Sequence, residues 1–321
     1  MDKLIITSII IFILSISLSF IINLLIIKIN KRKHKLNIER KYLYFHNNKK
    51  NTPFLGGISI IITSIITFII YSIIYNFDEV TFISLISIIL YGLIGFLDDL
   101  MKIKKKNSDG ISPLLRLFLE SIFAIFIIYL LGFNYEIFKY LNINGLKIGL
   151  FSFPLFIFLF IGGANASNIV DGIDGLDAGL TLIALTPNII LSFNEGYYIY
   201  GLFLLSIIGS LIGFLFLNSH PAKIFLGDTG SLALGNIIIL SSIILNNIIL
   251  IPLIMFLFII ETLSIIIQVL YYKKTKKRIF LMAPLHHHFE MKKIEESKIV
   301  MSFYLIHNLI MMQLLFYHLS Q

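Results

Sequence analysis

The chain has no cysteine and no tryptophan. The first absence excludes disulfides and thiol chemistry and leaves the redox compartment unmarked. The second, beside an abundance of Ile, Asn and Lys, reads as a compositional bias of the coding genome. It leaves Tyr and Phe to supply aromatic residues at a membrane interface. Charged residues are scarce: 14% of 321 positions, against 57% hydrophobic. Internal repeats and low-complexity linkers are also missing, so residues 1–321 read as one domain. A mean hydropathy of +0.91 is far above what a soluble core needs.

Apolar runs near bilayer length recur along the whole chain, at roughly 4–27, 55–75, 80–97, 114–132, 148–164, 178–191, 197–217, 231–246, 248–271 and 299–319. The predicted fold class is therefore all-α, a polytopic integral membrane protein with about ten transmembrane helices. The first run is too long for a signal peptide, and no small-residue cleavage site precedes the basic loop, so it reads as a retained anchor. Net charge is +8, and its placement argues against a nucleic-acid partner. Nine of the 26 Lys/Arg lie in Lys28–Lys50, five in Lys102–Arg116 and eight in Lys273–Lys298, with Lys223 besides. Ten spans put all of these on one side and Lys3, Lys139 and Lys147 on the other. The positive-inside rule makes the rich side cytoplasmic and both termini extracytoplasmic.

Five polar islands fall on that same side: HNNKKNTP around Lys49, FLDDLMK with Asp98 and Asp99, NASNIVDGIDGLD from Asn165 to Asp177, NSHPAKIFLGDTGS around Asp228, and MAPLHHHFE with His286, His287 and His288. Asp98 and Asp99 end the third run, where adjacent carboxylates need a proton, a partner or a metal; a solvated helix end neutralised by Lys102 and Lys104 is the plainer alternative. Asn165, Asn168, Asp171, Asp174 and Asp177 recur every third residue, which keeps them on roughly one helical face. Gly172 and Gly175 between them permit close approach by a ligand. No Lys or Arg accompanies them, so they call for an external cation or a donor-rich ligand. Asp228 sits where a helix should start, and as a cap alone would be unremarkable. Phe225 is either an interface anchor or a stacking platform. The consecutive histidines suit phosphate better than zinc, because three in a row rarely reach one metal. Carboxylates for a hard divalent cation, basic groups and an aromatic beside a lipid boundary make up the inventory for phosphoryl transfer onto a lipid phosphate.

NASNIVDGIDGLDAG, HPAKIFLGDTGSLALG, ETLSIIIQV and RIFLMAPLHHHFE closely resemble the bacterial phospho-N-acetylmuramoyl-pentapeptide transferase family, within the polyprenyl-phosphate N-acetylhexosamine-1-phosphate transferases. The resemblance runs from about Lys49 to Glu296, and MAPLHHHFE is its most discriminating block. It implies ten spans in the bacterial inner membrane, an active site on the cytoplasmic face, a homodimer, and Mg²⁺-dependent transfer from UDP-MurNAc-pentapeptide to undecaprenyl phosphate with release of UMP. Carried over by motif, Asp228 looks like the main Mg²⁺ ligand, with Asp99 as a second candidate ligand. Asp98 and Asp99 match the family's essential pair, one of which positions or deprotonates the lipid phosphate while the other supports metal or substrate. Asn165, Asn168 and Asp171 look like active-site polar residues. Gly172, Asp174, Asn218, Phe225 and Lys49 match positions that hold uridine, and His286, His287 and His288 resemble phosphate or sugar contacts. Lys102 and Arg116 match basic positions near the phosphates, and Gln268 belongs to the ETLSIIIQV substrate-binding motif.

The chain also departs from the family pattern. Asn51, Phe54 and Leu55 stand in KKNTPFLGG where KxGTPTMGG is typical, Arg116 replaces a more usual Lys, Glu120 a usual Gln, and KIEE ending in Glu296 replaces GWPE. None of these removes a carboxylate, metal ligand or histidine. Two rivals are a sister enzyme that moves GlcNAc-1-phosphate onto the same lipid, and an ion-coupled transporter. The histidine triplet argues against the first. The lack of repeats and the position of the acidic residues at span ends argue against the second.

Overall fold

The computed structural model of the chain describes residues 2–33, 52–105, 109–134, 142–143, 146–147 and 152–319. Among these, ten helices are long and apolar enough to cross a membrane. They are α1 (Asp2–Lys33), α2 (Gly57–Tyr75), α3 (Glu79–Lys105), α4 (Pro113–Asn134), α5 (Ser152–Val170), α6 (Leu176–Asn194), α7 (Tyr198–Asn218), α8 (Gly227–Ile244), α9 (Phe256–Thr275) and α11 (Glu296–Leu319). The short α10 (Leu285–Met291) carries the histidines. A two-residue antiparallel ladder, Asn142–Ile143 against Leu146–Lys147, is a small exception to the all-α expectation.

Several helix boundaries differ from the hydropathy reading, three of them near the site or at a break in the chain. The third run does not end before Asp98; α3 continues two turns to Lys105, because Lys102 follows Asp98 at i+4 and neutralises it. The fifth extends to Val170, which places Asn165 and Asn168 on a helix. The ninth starts with a 3₁₀ turn at Ile248–Leu250 and a single helical turn at Ile251–Ile254. Pro252 in that turn lacks the N–H a continuous helix would use, and α9 proper begins at Phe256.

The centre of the bundle is α8, buried from Gly227 to Ile243 and packed on by α2, α3, α5 and α6. The outer helices α1, α4, α9 and α11 expose Ile9, Phe118, Leu270 and Leu309 among other large apolar residues, as expected of surfaces solvated by acyl chains. In that solvent helices gain little by hiding apolar area from one another, so close packing at small residues and hydrogen bonds between helices carry the association. Asn188 on α6 donates to Ser241 Oγ on α8 at 2.7 Å, Asn23 on α1 donates to Ser59 Oγ on α2 at 2.8 Å, and Ser87 on α3 donates to Asn236 Oδ1 on α8. At the contact of α3 with α8, a Cβ on Gly95 would overlap the Asp228 carbonyl, and one on Gly57 of α2 would overlap the Gly230 backbone.

Alternating helix direction brings the starts of α2, α4, α6, α8 and α11 and the ends of α3, α5 and α7 to one end of the bundle, where the polar islands meet. Gly95→Val should separate α3 from α8 and cost about 1–3 kcal/mol, as overpacking of a filled interior does. Thermal unfolding in detergent checks this. Gly162→Ala, where the added Cβ meets open space, should be no less stable than the parent.

Candidate active site

The Asp99 side chain leaves α3 and accepts hydrogen bonds from the first turn of α8: Asp228 N–H to Oδ1 at 3.1 Å, Thr229 N–H to Oδ2 at 2.9 Å and Thr229 Oγ1–H to Oδ2 at 2.7 Å. It therefore caps α8 from another helix. Orphan N–H groups and the positive end of the helix dipole both favour a carboxylate there. The residue at the cap position itself is Leu226, which has no side-chain acceptor. Gly227 begins the helix at φ +76°, a conformation costly for other residues.

Asp98 takes different partners. Its Oδ1 accepts from the Ile111 N–H at 2.7 Å, and its Oδ2 lies 2.5 Å from Lys102 Nζ. The same ammonium is 3.0 Å from Asp228 Oδ2, and Arg116 Nη1 reaches that oxygen at 3.1 Å. Arg116 is held from behind by Glu120, Nε to Oε1 at 3.0 Å, and Glu120 Oε2 accepts from Asn165 Nδ2 at 2.6 Å. Asn168 Nδ2 donates to Ser231 Oγ at 2.9 Å. Asp98, Lys102, Arg116, Glu120, Asn165, Asn168 and Asp228 all line one cavity of about 640 Å³, with Thr262 of α9 on its wall.

The periodicity from Asn165 to Asp177 does not survive as one face. The helix breaks between Val170 and Leu176, with Gly175 at φ +81°, and the polar residues part company. Asn165 and Asn168 face the cavity, and Asp171 follows the end of α5 with its N–H on the Ser167 carbonyl. Asp174 Oδ2 accepts from the Ala222 N–H at 3.0 Å and lies 3.0 Å from His220 Nδ1. Asp177 turns into the core onto Ser167 Oγ at 2.8 Å. Glu296, at the start of α11, accepts the Asp174 N–H at 2.5 Å and approaches His220 Nδ1 at 3.2 Å. Asp174, His220 and Glu296 thus offer ligand atoms within 4.8 Å of one another, a set able to hold a metal ion. Asn218 spends both ends of its amide on the backbone, accepting from Gly175 N–H at 3.0 Å and donating to the Ile224 carbonyl at 2.8 Å. Phe225 packs against Phe54 with ring centroids 5.2 Å apart, so the residue that departs from the family pattern lies against the expected stacking ring. Lys49 lies outside the described residues.

The three histidines take different partners, although the His286 and His287 rings touch with centroids 4.3 Å apart. His286 is fully buried, with its ring against Gly172, where a Cβ would overlap Nε2. His287 Nδ1 is 2.6 Å from Glu290. His288 Nδ1 accepts the Leu281 N–H at 3.1 Å, and desolvation followed by the nearby Lys292 holds its imidazole below the usual histidine range. The carboxylate that suspends α10 is Glu261, which accepts from Leu285 N–H at 2.6 Å and His286 N–H at 3.1 Å. Gln268 fastens the preceding segment, accepting from the Ile279 and Phe280 N–H groups and donating to the Phe280 carbonyl, all at 3.0 Å. Gln268 thus serves as a backbone clamp, whatever else it contacts. Glu261 opens the ETLSIIIQV motif, and its signal in the sequence is a carboxylate inside an apolar span.

A family model described as Glycosyl transferase family 4 matches residues 81–246, about half of the chain. A protein named phospho-N-acetylmuramoyl-pentapeptide-transferase from Anoxybacillus flavithermus is 38% identical over 266 residues, 81% of this chain and 82% of its own. Proteins of the same name from Geobacillus sp. and Clostridium perfringens are 36% identical over 307 residues (92% and 94%) and 38% over 286 (87% and 88%). The chain belongs to the phospho-N-acetylmuramoyl-pentapeptide-transferase family. It is accordingly a transferase, and the ten apolar helices with these bacterial relatives make it a multi-pass bacterial membrane protein. Family membership gives the cavity and its charged lining a chemical context, and it sets the transporter reading aside.

Glu261→Ala would leave two N–H groups at the start of α10, one of them buried, without an acceptor. It should cost on the order of 2–3 kcal/mol and free His286. Carbethoxylation of His286, blocked by burial in the parent, should then become measurable, while Glu261→Gln, which keeps one acceptor, should lie between.

Proposed function

We propose that the chain transfers phospho-N-acetylmuramoyl-pentapeptide from its UDP carrier to undecaprenyl phosphate, forming lipid I and UMP, with Mg²⁺ as cofactor. The observation that carries this reading is the convergence of Asp98, Asp228, Lys102 and Arg116 in one cavity at the end of a membrane bundle. Two carboxylates reaching the same ammonium from two helices also fit a divalent cation, which takes oxygen ligands and keeps positions for substrate phosphate. Asp228 and Asp98 are the better-placed ligands. Asp99, expected to share that role, already has both oxygens on α8 and acts by fixing Asp228. When bound, Mg²⁺ would neutralise charge on the phosphates and withdraw electrons from phosphorus.

The protein's own groups then have separable tasks. Lys102 and Arg116 are the cations available to phosphate oxygens, and Asp98 positions or deprotonates the lipid phosphate. An oxygen of that phosphate attacks the sugar-bearing phosphorus of the donor, the bridging P–O bond breaks, and UMP leaves with the electron pair. Direct attack is favoured over a covalent aspartyl intermediate, because two apposed phosphates held in a charged cavity require no protein nucleophile. Phe225, Gly172 and Asp174 form the uridine side of the site. His287 faces sugar or phosphate from α10, and the fully buried His286 supports it from behind, packed on Gly172.

The basic-rich end of the bundle is taken as cytoplasmic, where the nucleotide donor is made, with both termini outside. A homodimer accompanies this reading.

The test is UMP release by purified protein with undecaprenyl phosphate and Mg²⁺, comparing UDP-MurNAc-pentapeptide with UDP-GlcNAc. Release with the pentapeptide donor alone, lost on EDTA treatment, is expected; release with UDP-GlcNAc alone would assign the chain to the sister reaction. Asp228→Asn should abolish turnover while leaving the thermal transition within a few degrees of the parent. Near-normal turnover would remove Asp228 as a metal ligand.

A further inference from the structure

Arg116 lies on α4, one turn from Glu120, and both face the cavity. Its guanidinium is gripped at two points in different directions: Nε by Glu120 Oε1 at 3.0 Å and Nη1 by Asp228 Oδ2 at 3.1 Å. Glu120 is 1% exposed and is itself anchored by Asn165 on α5 at 2.6 Å. The planar fork therefore has two of its three nitrogens fixed. The third, Nη2, is buried without a hydrogen-bond partner. A buried guanidinium nitrogen with no acceptor is costly to leave as it is, and its natural complement is an oxyanion that can take a second donor from the same fork.

We propose that Glu120 is a positioning residue: through Nε it sets the plane of Arg116 so that Nη2 is presented to a phosphate oxygen of a substrate. This rests on the phosphoryl-transfer reading above and deepens it. Burial of a carboxylate within an apolar span is unfavourable unless it is paired, and here the pair leaves the Nη2 donor of a cavity-lining guanidinium without an acceptor instead of forming a closed, self-satisfied bridge. A lysine at 116 would bring one point charge and could not hold this geometry. The phosphate could belong to the lipid acceptor or to the nucleotide donor. The chemistry is shared, and the kinetics separate the two sources.

The experiment uses the full chain in detergent or nanodiscs. KM is measured for each substrate with the other saturating, and binding of the UDP-linked donor is measured calorimetrically without the lipid. Glu120→Gln keeps shape and an acceptor but removes the charge, and Arg116→Lys keeps the charge but removes the fork. Each should raise KM for one phosphate-bearing substrate about tenfold, the size of one charge-assisted hydrogen bond, with kcat changed much less. A rise confined to the lipid acceptor places Nη2 on the lipid phosphate. A rise in donor KM, with matching loss of donor binding, places it on the diphosphate. The double variant should be no worse than Arg116→Lys alone, because Glu120 acts only through the fork. Multiplicative effects would overturn the proposal, as would unchanged KM values in Glu120→Gln. If Glu120→Gln does not fold, Arg116→Lys decides alone, and parental KM values in it would refute the fork. A parent that releases no UMP would instead remove the underlying reaction.

Discussion

A carboxylate from α3 seated on the open end of α8 is the contact on which the rest of the site depends. Asp99 satisfies two backbone N–H groups and a hydroxyl of α8 at once, and Gly95, one turn earlier, lets the two backbones touch at Asp228. Together these leave Asp228 little freedom of position. Because α8 is buried along its length and contacts most of its neighbours, whatever fixes its first turn also fixes the reference point for Lys102, Arg116 and the cavity they line. In water a helix end can be capped by solvent. At the margin of a bilayer the cap must come from the protein, which is why a charged residue is tolerated at so deeply buried a place.

The same constraint explains the shape of the charged network. Ionisable groups this close to hydrocarbon are costly unless paired or hydrogen-bonded, and here the opposite charges form a chain: Asp98 to Lys102, Lys102 to Asp228, Asp228 to Arg116, Arg116 to Glu120. Residues from α3, α4 and α8 thereby become one electrostatic unit. A change at any link is felt along the chain, and substitutions within it are not expected to add.

Much of this was legible in the residues, and the failures have physical causes. Apolar runs located ten spans because bilayer thickness fixes their length. The polar islands marked one end of the bundle because chain alternation decides side. Helix ends were misplaced where a pairing invisible to hydropathy extended the helix, as Lys102 did for Asp98, or where Pro252 split one apolar run. The every-third pattern from Asn165 to Asp177 suggested one face, but Gly175 turns the chain and sends Asp174 to His220 and Asp177 into the core. Glu261 escaped notice because its partners are backbone N–H groups, which have no sequence signature. The pairing of Phe54 with Phe225 is a contact between segments far apart in the chain, which no local pattern contains.

A division of labour follows from where each polar group spends its hydrogen bonds. Asn218, Gln268, Asp99 and Glu261 give theirs to backbone, and each ties a turn or helix end that carries a functional residue: Gly175 beside Asp174, the segment leading to the histidines, the first turn of α8, and α10. Apart from Asp98 Oδ1 on the Ile111 N–H and Arg116 Nε on Glu120, Lys102, Arg116, Asp98 and Asp228 spend theirs on one another, across contacts that a charged ligand can exchange for its own. Backbone-directed groups confer rigidity, because breaking them strands a buried N–H or carbonyl. Charge-to-charge contacts confer readiness, because a phosphate or a cation can replace one partner without leaving the other unpaired. A site that binds large anionic substrates at a lipid boundary needs both, and in this chain the amide and carboxylate scaffold surrounds the exchangeable charges.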